Sequence, residues 1–132
     1  MVSSPAFTNG DALRIGGNAS VYIVSEMSAN HLNDFDIALQ IVEAAADAGA
    51  DAIKLQTYRP ESLSIDVENK YFKPKEGGLW EGMHPYELYE EACTPYEWQP
   101  KLKEHAEDRG LDCFSPPFDR EAGAFMAQMD VA

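Results

Sequence analysis

Asp51-Ala52-Ile53-Lys54-Leu55-Gln56-Thr57-Tyr58 is a short run in which apolar residues alternate with a lysine and a glutamine. That alternation, at that length, reads as a buried strand with chemistry at the end where the polar residues collect. Val21 to Met27 before it and Leu111 to Ser115 after it have the same look, and helical periodicity separates all three. Strand alternating with helix is the pattern of a parallel α/β fold.

Working outward, Asn33 offers an N-cap with Asp36 in the first turn. Ile37, Ala38, Ile41, Val42, Ala45 and Ala48 then recur at helical spacing until Gly49. Strand, helix and strand together have the length of a βαβ unit, whose crossover is expected to be right-handed. On the far side, Thr94-Pro95-Tyr96-Glu97 reads as a capping box for a helix whose buried stripe is Trp98, Leu102 and Ala106, ending at Gly110. Pro116-Pro117 breaks the third strand, and Asp119 is placed to cap a helix with Ala122, Phe125, Met126 and Met129 on one face.

Between these units, Tyr58 to Pro85 dissolves into Pro, Gly, Lys and Glu with Tyr71, Phe72 and Trp80 scattered through it, followed by a short helix over Tyr86 to Glu90. A loop that long in a compact domain is usually a lid or binding loop, or disordered. Residues 1–20 read as a tail with a small hairpin across Asn9-Gly10-Asp11, and residues 21–132 as the folded part. The chain stops at Val131-Ala132, where a fourth strand would begin. A three-stranded parallel sheet has two bare edges, so the expectation is the opening part of a larger barrel or sheet.

Composition narrows the functions. The 132 residues are 45% hydrophobic with a formal charge of -13, which fits a globular domain and disfavours nucleic acid or an anionic membrane surface as partner. Cys93 and Cys113 are too few and too far apart for a disulfide framework or a metal knuckle. No apolar run approaches membrane-span length and no secretory leader opens the chain, so a cytoplasmic location is expected. Any anion site must be built locally.

Alternation along the second strand places Lys54 and Gln56 on the face opposite Ile53, Leu55 and Thr57. A lysine pointing into a barrel is costly unless it meets an anion, either a substrate carboxylate or phosphate or a structural acid. Glu26, which shares a face with Tyr22 and Val24, is the natural neighbour. It either neutralises Lys54 or acts on a reacting group. Asn30-His31 follows in the loop, with no second His or Cys at metal spacing, and Ser115 at the end of the third strand either bonds an anion or starts the turn.

Three ordered segments then resemble one family. Tyr22-Ile23-Val24-Ser25-Glu26-Met27-Ser28-Ala29-Asn30-His31, Ala48 through Tyr58, and Phe114-Ser115-Pro116-Pro117-Phe118-Asp119 are similar to the successive signatures of the sialic acid (nonulosonic acid) synthases. Arg59 through Asp66, Gly78-Leu79-Trp80, and Tyr86 through Trp98 resemble the pseudaminic acid branch more than the N-acetylneuraminate or legionaminate branches. The resemblance implies a (β/α)₈ TIM barrel, here its first three βα units, with the active site at the C-terminal ends of the strands. It implies condensation of phosphoenolpyruvate with an acetamido sugar, a divalent Mn²⁺ or Mg²⁺ ion on the sugar aldehyde, and a homodimer completed by an antifreeze-protein-like C-terminal domain. By the same resemblance Glu26 is the catalytic acid, Lys54, Gln56 and Ser115 bind substrate, and Asn30 and His31 stand at the rim. The metal ligands are expected beyond Ala132. Pro116 departs from the family's Thr or Ser, losing a hydroxyl that helps hold phosphate. A chain of this extent is expected to be inactive alone, and a truncated, non-catalytic or binding fragment is the alternative from another class.

Overall fold

The computed structural model describes residues 19–67, 69–73, 77–78 and 81–131. The hairpin expected near the start, and Trp80 of the long loop, lie outside the described residues. Eight elements follow in order: β1 (Val24–Glu26), α1 (Phe35–Asp47), β2 (Ala52–Lys54), α2 (Pro60–Leu63), α3 (Pro85–Ala92), α4 (Gln99–Asp108), β3 (Asp112–Phe114) and α5 (Arg120–Gln128). The strands form one parallel sheet in the order β1-β2-β3, with Glu26 beside Lys54 and Lys54 beside Phe114.

The strands are shorter than the alternation predicts, and β1 begins later. Val21 and Ile23 are 83% and 54% exposed, at the sheet edge where β1 pairs with β2 alone among the described strands. The ladder nonetheless runs past the regular strands. The Ile23 carbonyl accepts from the Asp51 and Ala52 amides at 2.8 and 3.2 Å, Leu55 N–H donates to the Phe114 carbonyl at 2.9 Å, and Thr57 bridges Pro117.

Helix α1 starts one residue later than predicted. Asp34, not Asn33, is the N-cap, its Oδ1 accepting from the Asp36 and Ile37 amides at 2.9 and 3.1 Å. Asn33 sits at φ 54° with its own N–H turned to His31. At the other end Gly49, at φ 78°, supplies the left-handed turn that sends the chain into β2. Ala38, Val42 and Ala45 face the sheet.

Helix α4 corrects a larger expectation. Thr94 is not its cap: the helix begins at Gln99, and residues 95–98 form a separate turn closed by Trp98 N–H to the Pro95 carbonyl at 3.0 Å. Pro100 is the reason. It has no N–H to donate, and its ring would collide with the Tyr96 carbonyl one turn back if a single α-helix ran through both. Gln99, Leu102 and Ala106 form its buried stripe. Asp119 caps α5 as expected, accepting from the Ala122 amide at 2.7 Å, and it also meets the Ser62 hydroxyl.

The long loop is partly ordered. A short turn of helix, α2, opens it, and α3 is longer than expected because His84 caps it through Nδ1 and anchors the loop by donating from Nε2 to the Val67 carbonyl.

One core results. Met27, Ile53, Leu55 and Leu111 pack on α1 and α4, with Val42 and Leu102 fully buried; each such aliphatic side chain stabilises by about 1.5–3 kcal/mol. The opposite sheet face is open, with Val24 38% exposed. Parallel sheets are ordinarily covered on both faces. The 132-residue chain by itself should therefore associate through that face and the β1 and β3 edges, eluting above monomer mass in light-scattering chromatography and binding a hydrophobic dye. A monomeric mass with a sharp thermal transition would contradict this.

Candidate functional site

The parallel register sets Glu26 at the end of β1 level with Lys54 at the end of β2. Their side chains form an ion pair, 53% and 29% exposed respectively. A pair this wet contributes at most about 1 kcal/mol, so its interest lies in where it holds the charges. Gln56, two residues on, continues the same face and is half-buried. Toward the strand starts, the Tyr22 phenol donates to the Asp112 carboxylate across the fully buried Ala52. Burial first, and then Asp112, pushes that phenol above its ordinary range.

The helix-facing side of the same strand ends carries a different set. Thr57 is fully buried, its hydroxyl 2.7 Å from Gln99 Oε1 and 2.6 Å from Ser115 Oγ. Gln99 Nε2 donates to the Thr94 carbonyl at 3.2 Å, and Thr94 Oγ1 lies 3.1 Å from His31 Nε2. His31 Nδ1 accepts from the Asn33 amide at 3.0 Å, which fixes the tautomer: the proton is on Nε2 and points at Thr94. Burial pulls the His31 pKa below its usual value.

The structure thus brings Glu26, Lys54 and Gln56 onto one open face. It places His31 and Ser115, 0% and 4% exposed, in the buried chain behind them. Asn30 sits at the loop surface, its side-chain amide donating to the Met27 carbonyl at 2.9 Å. Of the loop aromatics, Tyr71 is 79% exposed and Phe72 half-buried. Thr57, Thr94 and Gln99 are site-shaping residues that sequence reading missed. Gln99 alone left a signal, a polar residue on the buried stripe of α4 three positions before Leu102. Among the described residues no three His, Cys, Asp or Glu side chains gather as a metal site.

A parallel sheet with helices packed on one face and charged and amide side chains at the ends of its strands is a partial (β/α)₈ barrel, three units of it. Residues 41–132 match the NeuB family, and the chain belongs to it. The pseudaminic acid synthase of Campylobacter jejuni (serotype O:2) is 47% identical over 110 residues, covering 83% of this chain and 32% of that protein. The Helicobacter pylori pseudaminic acid synthase is 41% identical over 100 residues, 76% of this chain and 29% of that protein. The crystal structure of N-acetylneuraminic acid (sialic acid) synthetase from Leptospira borgpetersenii, in complex with citrate, superimposes with a TM-score of 0.77 at 30% identity, over 97% of this chain and 39% of that one. The chain spans about a third of the length of the curated relatives it matches.

His31 yields a pH dependence. Burial in the folded state opposes its protonation, while the unfolded chain takes up a proton near pH 6.5. Below that pH the unfolded state binds the extra proton, so the stability present above about pH 6.5 is lost as the pH falls, by at most about 1.4 kcal/mol per pH unit. Urea midpoints taken from pH 7.5 to 5.5 should show this decline, and His31→Gln should flatten it. An unchanged slope in the variant would assign the titration elsewhere.

Proposed function

We propose that the full-length protein carrying this chain is a nonulosonic acid synthase of the pseudaminic type, condensing phosphoenolpyruvate with an acetamido sugar and releasing phosphate. The observation that supports it best is the Glu26–Lys54 pair with Gln56 at the open strand ends, in a chain 47% identical to a pseudaminic acid synthase. Identity to the N,N'-diacetyllegionaminic acid synthase of Legionella pneumophila is 29%, and to the human N-acetylneuraminate-9-phosphate synthase 27%, which favours the pseudaminic branch.

The chemistry follows from the pair. On a chain of formal charge -13 an anionic substrate is repelled at long range, so a lysine already aimed along the open face supplies the local attraction. When phosphoenolpyruvate arrives, Lys54 exchanges Glu26 for the substrate carboxylate or phosphate. The freed Glu26 carboxylate then stands beside the reacting carbons. There it stabilises positive charge as the enol carbon attacks the sugar aldehyde, and orients the water whose addition leads to carbon–oxygen cleavage and loss of phosphate. Gln56 offers the amide contacts that orient the sugar. A divalent Mn²⁺ or Mg²⁺ ion would polarise the aldehyde, held by residues outside this chain. The whole protein acts in the cytoplasm as a homodimer on this reading, and residues 1–132 alone are inactive.

Pro116 favours the second reading, a fragment that binds a ligand or partner without catalysis. It offers neither hydroxyl nor N–H where a phosphate would be held.

Full-length protein incubated with phosphoenolpyruvate and each candidate acetamido sugar should release phosphate with the pseudaminic acid precursor. Release only with a mannose-configured precursor would overturn the pseudaminic assignment. Pro116→Thr in the same protein should lower the KM for phosphoenolpyruvate by about tenfold, the worth of one hydrogen bond to a charged group. An unaltered KM would show the hydroxyl to be dispensable.

A further inference from the structure

Gln99 is fully buried at the start of α4, 42 residues from Thr57 in sequence, and its carboxamide joins the end of β2 to the Thr94 segment. Its orientation is dictated by its partners. The Thr94 carbonyl can only accept, so Nε2 must face it and Oε1 must face Thr57. The single Thr57 proton therefore goes to Gln99, and Ser115, 2.6 Å away, must be the donor to Thr57. The hydrogen bonds run one way, from Ser115 through Thr57 and Gln99 to the Thr94 carbonyl.

We propose that Gln99 is a positioning residue that sets where Lys54 and Gln56 stand. The backbone leaves this work to a side chain. Beyond Leu55 the β2–β3 ladder thins to two long bonds, Thr57 N–H to the Pro116 carbonyl at 3.4 Å and Phe118 N–H to the Thr57 carbonyl at 3.3 Å, because Pro116 has no N–H to donate to β2. Thr57 adjoins Gln56 and is three residues from Lys54, so any drift of the buried hydroxyl pulls the strand end that carries both. Gln99 ties that end, and Ser115 just beyond β3 with it, to the helix layer. With its proton committed to Thr57, Ser115 presents only lone pairs to a ligand, which makes the end of β3 a poor anion donor and leaves Lys54 as the cation that meets one. This rests on the synthase reading only for what Lys54 and Gln56 would bind.

The test uses full-length protein labelled with ¹⁵N-lysine, the Lys54 amide signal being assigned by its loss in Lys54→Arg. Wild type, Gln99→Met, Gln99→Glu and Thr57→Val are compared at pH 7.5 and 6.0, below their melting temperatures, and wild-type spectra at both pH values account for the titration of His31 on the same network. Gln99→Met and Thr57→Val should shift the Lys54 signal in folded protein and lower kcat by about ten- to a hundredfold, as misplacement of a catalytic group does. Gln99→Glu should be displaced at pH 7.5 and return toward the wild-type position at 6.0. Burial raises the carboxyl pKa, and the protonated acid donates to Thr94 while accepting from Thr57 as the amide does. A side chain that merely filled space would lower the melting temperature in all three without moving Lys54 and without the pH-dependent rescue. A wild-type Lys54 signal in folded Gln99→Met, or a pH-independent one in Gln99→Glu should Gln99→Met not fold, overturns the proposal. Absence of phosphate release by wild type would overturn the synthase reading, while the Lys54 signal still decides the role of Gln99.

Discussion

Parallel strands three residues long make few ladder bonds, so the ends of this sheet are held together by what lies behind them. The hydroxyls of Ser115 and Thr57 and the carboxamide of Gln99 form a buried set of hydrogen bonds at 2.6 and 2.7 Å, and Thr94 extends the same layer to His31. Each of these groups is cut off from water, so a missing partner would cost about 1–3 kcal/mol in desolvation with nothing to offset it. That penalty makes the arrangement specific. Apolar residues of similar size would fill the space but would not distinguish one placement of the strand ends from another.

The two faces of the sheet consequently do different work. On the helix side, Met27, Ile53, Leu55 and Leu111 exclude water between the sheet and α1 and α4, while the polar set closes the end of that core. The other face collects charge: Glu26 meets Lys54 in a half-wet pair, and Tyr22 meets Asp112 further down. Neither contact is strong enough to hold the strands. Both lie where solvent reaches them.

Pro116 connects the two faces. On the proposed synthase reading it leaves neither a hydroxyl nor an N–H at a place where phosphate would be held. In this structure its missing N–H also thins the backbone ladder between β2 and β3, leaving two long bonds at Thr57, of 3.4 and 3.3 Å. The buried side chains then carry more of the alignment than a ladder with a full set of donors would ask of them.

Much was legible in the sequence because it depends on neighbours along the chain. Alternation in Asp51–Tyr58 separates Lys54 and Gln56 from Ile53, Leu55 and Thr57, since successive side chains in a strand must point to opposite faces. Asp119 as a cap and Gly49 as a helix stop follow from the bonding needs of helix ends, which lie within a few residues. The three ordered signatures carried the family, and the tertiary structure agrees with it. What only the tertiary structure decided was the partner of each buried polar group. His31 meets Thr94 across 63 residues, Ser115 meets Thr57 across 58, and Gln99 meets Thr57 across 42. Spacing along the chain says nothing about such pairs, because they come together only when the helices close over the sheet and water leaves. The start of α4 shows the same limit at short range. Thr94-Pro95-Tyr96-Glu97 has the composition of a cap, but Pro100 forbids the continuous helix and the Thr94 hydroxyl is taken by His31.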